Sequence, residues 1–222
     1  MIRSLLRRRQ ALSGLPVPDA CTPGRHALAT RHLLLYTPVT RLDALAAIAA
    51  GADPEAQRWQ GNQADQIVPD PDIRRALLRL GPAGATPRWF FKSNPELAEP
   101  FEPTPETPEF MVCIRRDTGL YAGCLDIDRD GGEIGGNLAP DHRGQGLGAE
   151  LFLAGVEFAH SHAGLPTVRA GTATANLACR GALERAGFVP APGPARHTLQ
   201  DGRELDTVWY QHEGAASTCA RP

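Results

Sequence analysis

The chain has 222 residues, 42% of them hydrophobic and 22% charged, with a formal net charge of −2. That length suits one packed domain or a domain plus an extension, and the balanced charge argues against a general nucleic-acid binder, which would carry a strong basic excess. No segment reaches the ~18 consecutive apolar residues of a membrane helix, so no membrane partner is expected.

Residues 1–28 mix arginine, proline and glycine without periodicity and read as a flexible N-terminal extension. "RHLLLYTPV" (31–39) is a strand candidate bounded by Pro38. A helix follows, with Thr40 able to cap it, Leu42, Leu45, Ala46 and Ile48 at helical spacing, and Gly51 at its end. Asp53 and Pro54 open a second helix, "DPEAQRWQG", and residues 71–81 form a third. Residues 95–109 alternate prolines with Glu96, Glu99, Glu102, Glu106 and Glu109, so they cannot sustain a helix and read as a surface loop or an acidic lid.

From residue 110 the pattern becomes regular. "FMVCIRR" and "LYAGCLDID" flank Asp117-Thr118-Gly119, an antiparallel hairpin signal. Residues 132–140 make a further strand, and a helix starts near Gly146 with Leu147, Leu151, Ala154 and Phe158 on one face and Glu150 and Glu157 on the other. "TVRAGTATA" is a strand, "NLACRGALERAGF" a short helix, and the last two strands straddle Asp201-Gly202. Residues 213–222 form a tail. The order is β, helices, βββ, α, β, α, ββ, an α/β (α+β) pattern.

The stretch "PDHRGQGLGAELF" (140–152) places Gly144, Gly146 and Gly148 where a helix begins, although glycine inside a helix costs roughly 0.5–1 kcal/mol relative to alanine. A helix N-terminus offers unpaired N–H groups and partial positive charge, glycines let a diphosphate approach the backbone, and Arg143 adds fixed charge. A P-loop is excluded because it needs G-K-[ST]. The G-x-G-x-G spacing, with no acidic residue about 20 positions on, does not match a dinucleotide fingerprint. A glycine-tolerant turn without a ligand is the plainer alternative.

These residues resemble the GNAT superfamily of N-acetyltransferases. Its acetyl-CoA motif, [RQ]-x-x-G-x-[GA], is matched by Arg143, Gly146 and Gly148. The helix N-x-x-S-x-x-x-x-E-K-x-G-F is matched by Asn176, Glu184, Gly187 and Phe188, with Arg185 for lysine and Cys179 for serine. Upstream, residues 29–59 are similar to the branch containing the ribosomal-protein N-terminal (alanine) acetyltransferases. The resemblance covers residues 29–212 as a single domain.

It implies a mixed central sheet of about six to seven strands flanked by helices, with two parallel strands splayed apart. Acetyl-CoA would lie in the gap, its pantetheine on Gly136, Asn137 and Leu138 and its pyrophosphate on Arg143, Gly144, Gln145, Gly146, Leu147 and Gly148. Asn176 would hold pantetheine or a water. The implied chemistry is direct attack of a neutral amine on the thioester, with Glu133 as base through a water and Cys179 as either the acid that protonates the leaving thiolate or an inert buried thiol. The acceptor would be a peptide or protein α-amine or a small cationic metabolite or antibiotic. A non-catalytic acetyl-CoA sensor is the alternative from another class.

Neither motif calls for a metal. Five cysteines (Cys21, Cys113, Cys124, Cys179 and Cys219) lack C-x-x-C spacing. With no secretion-like leader they read as thiols of a cytoplasmic protein. Cys113 and Cys124 read as core residues and a homodimer is open.

Overall fold

Four consecutive buried side chains, Leu33, Leu34, Leu35 and Tyr36, form strand β2 (Leu33–Tyr36) and explain why that stretch reads as an unbroken apolar run. A strand covered on both faces has no solvent side to alternate toward. Leu33 and Leu35 join one core cluster with Met111, Leu125 and Leu151, while Leu34 and Tyr36 join a second with Leu42, Val112 and Tyr121. The computed structural model describes residues 25–82, 86–102 and 109–214.

Strands β1 (Ala27–Ala29), β2, β3 (Glu109–Arg115), β4 (Tyr121–Ile127) and β5 (Ile134–Leu138) form an antiparallel sheet in chain order. A second sheet runs β6 (Thr167–Ala173), β9 (Glu204–Glu213), β7 (Val189–Ala191), with β8 (Arg196–Thr198) also on β9. One parallel bridge, Glu133 to Arg169, joins the two sheets, with the Arg169 N–H donating to the Gly132 carbonyl at 2.8 Å. The expected splay is therefore present, and the sheet divides at it into five and four strands.

Helices α1 (Arg41–Ala50), α2 (Pro54–Gln60) and α3 (Pro71–Leu78) follow β2, and α1 and α3 pack on one face of the first sheet. Thr40 caps α1 in a reciprocal box with Asp43, and Asp53 caps α2 with Pro54 at its first turn. Asp43 is 1% exposed, yet its Oδ1 accepts from the Tyr36 and Tyr121 hydroxyls at 2.8 and 2.7 Å, and its Oδ2 from the Val39 and Thr40 N–H groups. Burial first, and then this carboxylate, push both phenols well above their ordinary range.

Two further helices cover the other face. Helix α5 (Leu147–Glu157) runs into a wider π turn at Phe158–His162, and α6 (Leu177–Arg185) packs against it. Cys113 and Cys124 are buried in the core, as expected. Glu150, expected on the polar face of α5, instead accepts from the His32 N–H at 2.5 Å and from the Thr30 hydroxyl, tying α5 to the β1–β2 turn.

Several expectations change. The sheet begins at Ala27, inside the span expected to be a loose extension; residues 1–24 lie outside the described residues. A short helix α4 (Arg88–Ser93) occupies "RWFFKS", too brief for a periodicity to be seen, and β7 has no counterpart among the expected strands. Residues 95–102 lie along residues 39–41: Arg41 donates to the Glu99 carbonyl, and Phe101 donates to the Val39 carbonyl. Glu99, Glu102 and Glu109 pair with Arg41, Arg25 and Arg129, so the acidic charge expected of a lid is matched there. Residues 103–108 and 215–222 lie outside the described residues, as do Cys21 and Cys219. No helix among the described residues is long and apolar enough to cross a membrane.

Candidate active site

The site starts from the alternation of an antiparallel ladder. Asp128 donates to the Glu133 carbonyl and Ala139 to the Ala122 carbonyl, both at 2.8 Å, so Glu133, Gly135, Asn137 and Ala139 direct their N–H and C=O groups at β4. Gly136 and Leu138 face the other way, toward β6, where no strand pairs with them. Of the three residues expected to contact pantetheine, Gly136 and the Leu138 N–H face the gap, whereas the Asn137 amide serves the sheet.

The Asn137 side chain does something else. Its Nδ2 donates to Cys124 Sγ at 3.1 Å, and its Oδ1 is buried with no partner among the described residues. A Cβ at Gly51 would lie 2.6 Å from that Nδ2, so a larger residue at the end of α1 would displace the Asn137 amide.

Past β5, Pro140 starts a single 3-10 turn and the chain reaches α5 through Gly144 and Gly146, at φ 71° and 79°. Both lie in the left-handed region that favours glycine, and a Cβ on either would meet nothing within 4 Å. Gly146 caps α5 without a side-chain hydrogen bond, leaving the first N–H groups of the helix unpaired by any cap. Gly148 differs, because a Cβ there would come 3.2 Å from the Ala182 Cβ; it serves the α5–α6 contact. Leu147 is buried in the core, so only its backbone faces this turn, and the Gln145 side chain bonds the Asp141 carbonyl and Arg115.

Arg143 is held from two sides. Its Nε donates to the Leu138 carbonyl at 2.8 Å, and its guanidinium forms a two-pronged pair with Asp53, Nη1 to Oδ1 at 2.9 Å. Burial alone would raise the Asp53 carboxyl, but the Arg143 contact and the Glu55 and Ala56 N–H groups hold it below its ordinary value. The same side chain thus caps α2 and fixes the arginine of the glycine turn.

Two cavities meet at the splay. The smaller, about 360 Å³, is lined by Gly144, Gly146 and Gly148, with Arg143, Arg185 and Glu55 as its charged residues. The larger, about 580 Å³, has no lysine or arginine on its walls but has Asp126, Asp128 and Glu133. Trp59, Gln60, Gly136, Asn137, Asn176 and Cys179 line both. Asn176 caps α6, its Oδ1 accepting from the Cys179 N–H at 3.1 Å. Burial pushes the Cys179 thiol up, so it is a protonated thiol at neutral pH. Glu133 is exposed at the rim of the larger cavity.

Two features are not evident from the sequence. Asp126 faces the larger cavity from inside an otherwise apolar strand, and burial raises its carboxyl above the ordinary value. The signal lies in the hairpin register, which sets Asp126 opposite Gly135. The other is α2, whose Trp59 and Gln60 bridge both cavities while its sequence reads only as a capped amphipathic turn.

His160, at the end of the π turn, bonds the Leu165 carbonyl beyond it and also His212. Among the described residues no group of three or more His, Cys, Asp or Glu could hold a metal ion.

Comparison with solved structures agrees with this architecture. An acetyltransferase of the GNAT family from Bacillus anthracis superposes with a TM-score of 0.57 at 13% identity, over 84% of this chain and 98% of that one. A ribosomal-protein-S5-alanine acetyltransferase from Vibrio fischeri gives 0.56 at 12%, over 84% and 96%. A ribosomal L7/L12 alpha-N-protein acetyltransferase in complex with coenzyme A gives 0.53 at 13%, over 83% and 95%. At such identities the likeness concerns the fold. No curated protein sequence matches the chain significantly. The model of the acetyltransferase (GNAT) domain matches residues 33–189, which hold the splayed strands, the glycine turn and the helix capped by Asn176. With that match across most of its length, the chain belongs to the GNAT acetyltransferase family.

Proposed function

We propose that this enzyme acetylates a primary amine that enters through the larger cavity, with acetyl-CoA seated in the smaller one. The observation that carries the reading is the backbone of Gly136 and the Leu138 N–H, which no strand pairs, continuous with the open glycine turn at Gly144 and Gly146. An extended amide-bearing chain fits the first, and a diphosphate fits the second. The arginines support the same assignment, since Arg143 and Arg185 line the smaller cavity, beside Glu55, while the larger has no lysine or arginine on its walls.

Acetyl-CoA supplies an activated acetyl thioester. The chain's residues supply position and proton handling. The Gly136 N–H, aimed at the gap, is placed to donate to the thioester oxygen, where negative charge develops during attack. Cys179, a protonated thiol at the junction of the cavities, is placed to give its proton to the leaving sulfur. Glu133 at the rim passes protons to solvent. Asn176 orients α6 and presents its amide to both cavities.

The acceptor is an amine met as a cation, either a peptide α-amine or a small molecule. Incubating a cell extract with the protein and isotopically labelled acetyl-CoA, followed by mass spectrometry, identifies it directly. Labelled N-acetyl product is the expected result. Coenzyme A binding without thiol release on any amine would turn the reading toward a cofactor sensor. Cys179→Ser is expected to keep most of kcat and Cys179→Ala to lower it by about tenfold or more.

A further inference from the structure

We propose that Asp126 is the acceptor-binding base, a carboxylate that seats the incoming ammonium ion and takes its proton. The class of acceptor it selects is a primary amine with no anionic group near the nitrogen. This rests on the assignment of the larger cavity to the acceptor.

Asp126 stands on β4 one strand in from the splay, on the face that carries Cys124 and Asn137. Its partner across the ladder is Gly135, and a Cβ there would lie 2.7 Å from Oδ2 and 3.1 Å from Oδ1. The missing side chain at 135 is what lets the carboxylate lie over β5 beside Gly136. Among the described residues it accepts no side-chain hydrogen bond and joins no ion pair, although it is half-buried in the cavity wall.

The other acids of the cavity are accounted for. Asp128 closes its own turn by accepting from the Asp130 and Gly131 N–H groups, and Glu133 is exposed at the rim. Of the three, Asp126 is half-buried, lies across the ladder from Gly135 and keeps an unspent carboxylate. A half-buried charge without a partner carries a desolvation cost, which an ammonium ion relieves. The unpartnered Oδ1 of Asn137, two residues along β5 on the same face, is a second acceptor on that wall lacking a donor.

The chemistry balances with these groups alone. The ammonium gives one proton to the Asp126 carboxylate, and the freed nitrogen lone pair forms the C–N bond to the acetyl carbon. The C–S bond then breaks, its electron pair staying on sulfur, and a thiol leaves with one proton. Cys179 supplies the proton on the leaving sulfur and is restored by the second nitrogen proton, lost as the amide forms, while Asp126 releases its proton to solvent. Specificity follows from the same wall: with three carboxylates and no lysine or arginine lining the cavity, a carboxylate next to the acceptor nitrogen is repelled. Trp59, Phe110 and Trp209 leave room for an apolar or aromatic stem.

The test is calorimetry with 2-phenylethylamine at neutral pH, on the protein alone and saturated with coenzyme A. The amine is expected to bind at least about tenfold more tightly than either the neutral 2-phenylethanol or phenylalanine, whose carboxylate flanks its nitrogen. Asp126→Asn should weaken amine binding about tenfold or more and leave coenzyme A affinity within about twofold, which also verifies folding. Asp126→Glu should restore part of the loss. Gly135→Ala, which keeps the charge but displaces it, should weaken the amine as Asp126→Asn does. Amine binding unchanged by Asp126→Asn overturns the proposal, as does a protein that binds no amine. Failure to bind coenzyme A, with amine binding still lost in Asp126→Asn, would overturn the acetyl-transfer reading and leave the Asp126 site standing.

Discussion

Asp53 reaches across 90 residues of sequence to Arg143, Nη1 to Oδ1 at 2.9 Å, and joins the cap of α2 to the turn that leads into α5. The pair is partly buried, with side-chain exposures of 15% for Asp53 and 30% for Arg143. Asp53→Ala removes a helix cap and this contact together, and about 2 kcal/mol of stability should go with them in urea unfolding. Because the folded-state carboxyl sits below its usual value, its contribution is present above the unfolded value near 3.8 and lost as pH falls through the lower folded one. Acid unfolding of Asp53→Ala should accordingly be shallower below pH ~4 than that of the parent chain. An unchanged acid limb would show that the pair adds nothing.

The three glycines of the turn should separate by role. Gly146→Ala places a Cβ in a left-handed residue that faces open space, so strain of roughly 1 kcal/mol should accompany a fall of about tenfold in acetyl-CoA affinity. Gly148→Ala presses on Ala182 and should lower the melting temperature while changing affinity less. Equal effects of both variants on affinity would mean that the turn does not distinguish binding from packing.

Asp43 organises a buried polar knot of two phenols and two backbone amides. Asp43→Ala leaves those donors without a partner, each costing about 1–3 kcal/mol. The loss should exceed about 3 kcal/mol in denaturant titration, and Asp43→Asn should recover part of it. A loss below about 1 kcal/mol would show that water replaces the carboxylate.

His26 is buried, and neither ring nitrogen finds a hydrogen-bond partner among the described residues. Burial lowers its pKa, with Arg129 and His162 adding to the fall and Glu109 opposing it. A histidine whose folded pKa lies below its unfolded one, near 6.5, gives its full stability above that value and loses it as pH drops toward the folded one. Melting temperature should therefore decline below pH ~6.5, and His26→Leu should flatten part of that decline. His142 and His212 shift in the same direction and account for slope that remains. A decline as steep in His26→Leu as in the parent would rule this contribution out.

Local chemistry makes much of the fold readable. Thr40 with Asp43 and Asp53 with Pro54 carry their cap geometry in the residues themselves, and the hairpin through Asp117-Thr118-Gly119 follows from its turn. The glycine turn is legible because glycines at a helix start weaken the helix, a cost that open backbone for a ligand repays. What stays hidden depends on register between segments far apart. The value of Asp126 appears only once Gly135 lies opposite it, and Arg143 reads as a bare phosphate ligand until Asp53 arrives from α2. Glu150 reads as a solvent residue by helical phase, and only the β1–β2 turn reveals its use. The acidic loop misleads for a related reason, since the arginines matching Glu99, Glu102 and Glu109 come from three separate places.

Among the described residues, one strand bridge, Glu133 to Arg169, links the two sheets, and this has a mechanical consequence. The two sheets share one apolar core, but past that bridge no ladder hydrogen bonds cross between β5 and β6, so a ligand lying along the Gly136 backbone would supply them and stiffen the gap. Amide exchange in β5 and β6 should slow together when the cleft fills, while β2, clasped on both sides, keeps its own pace.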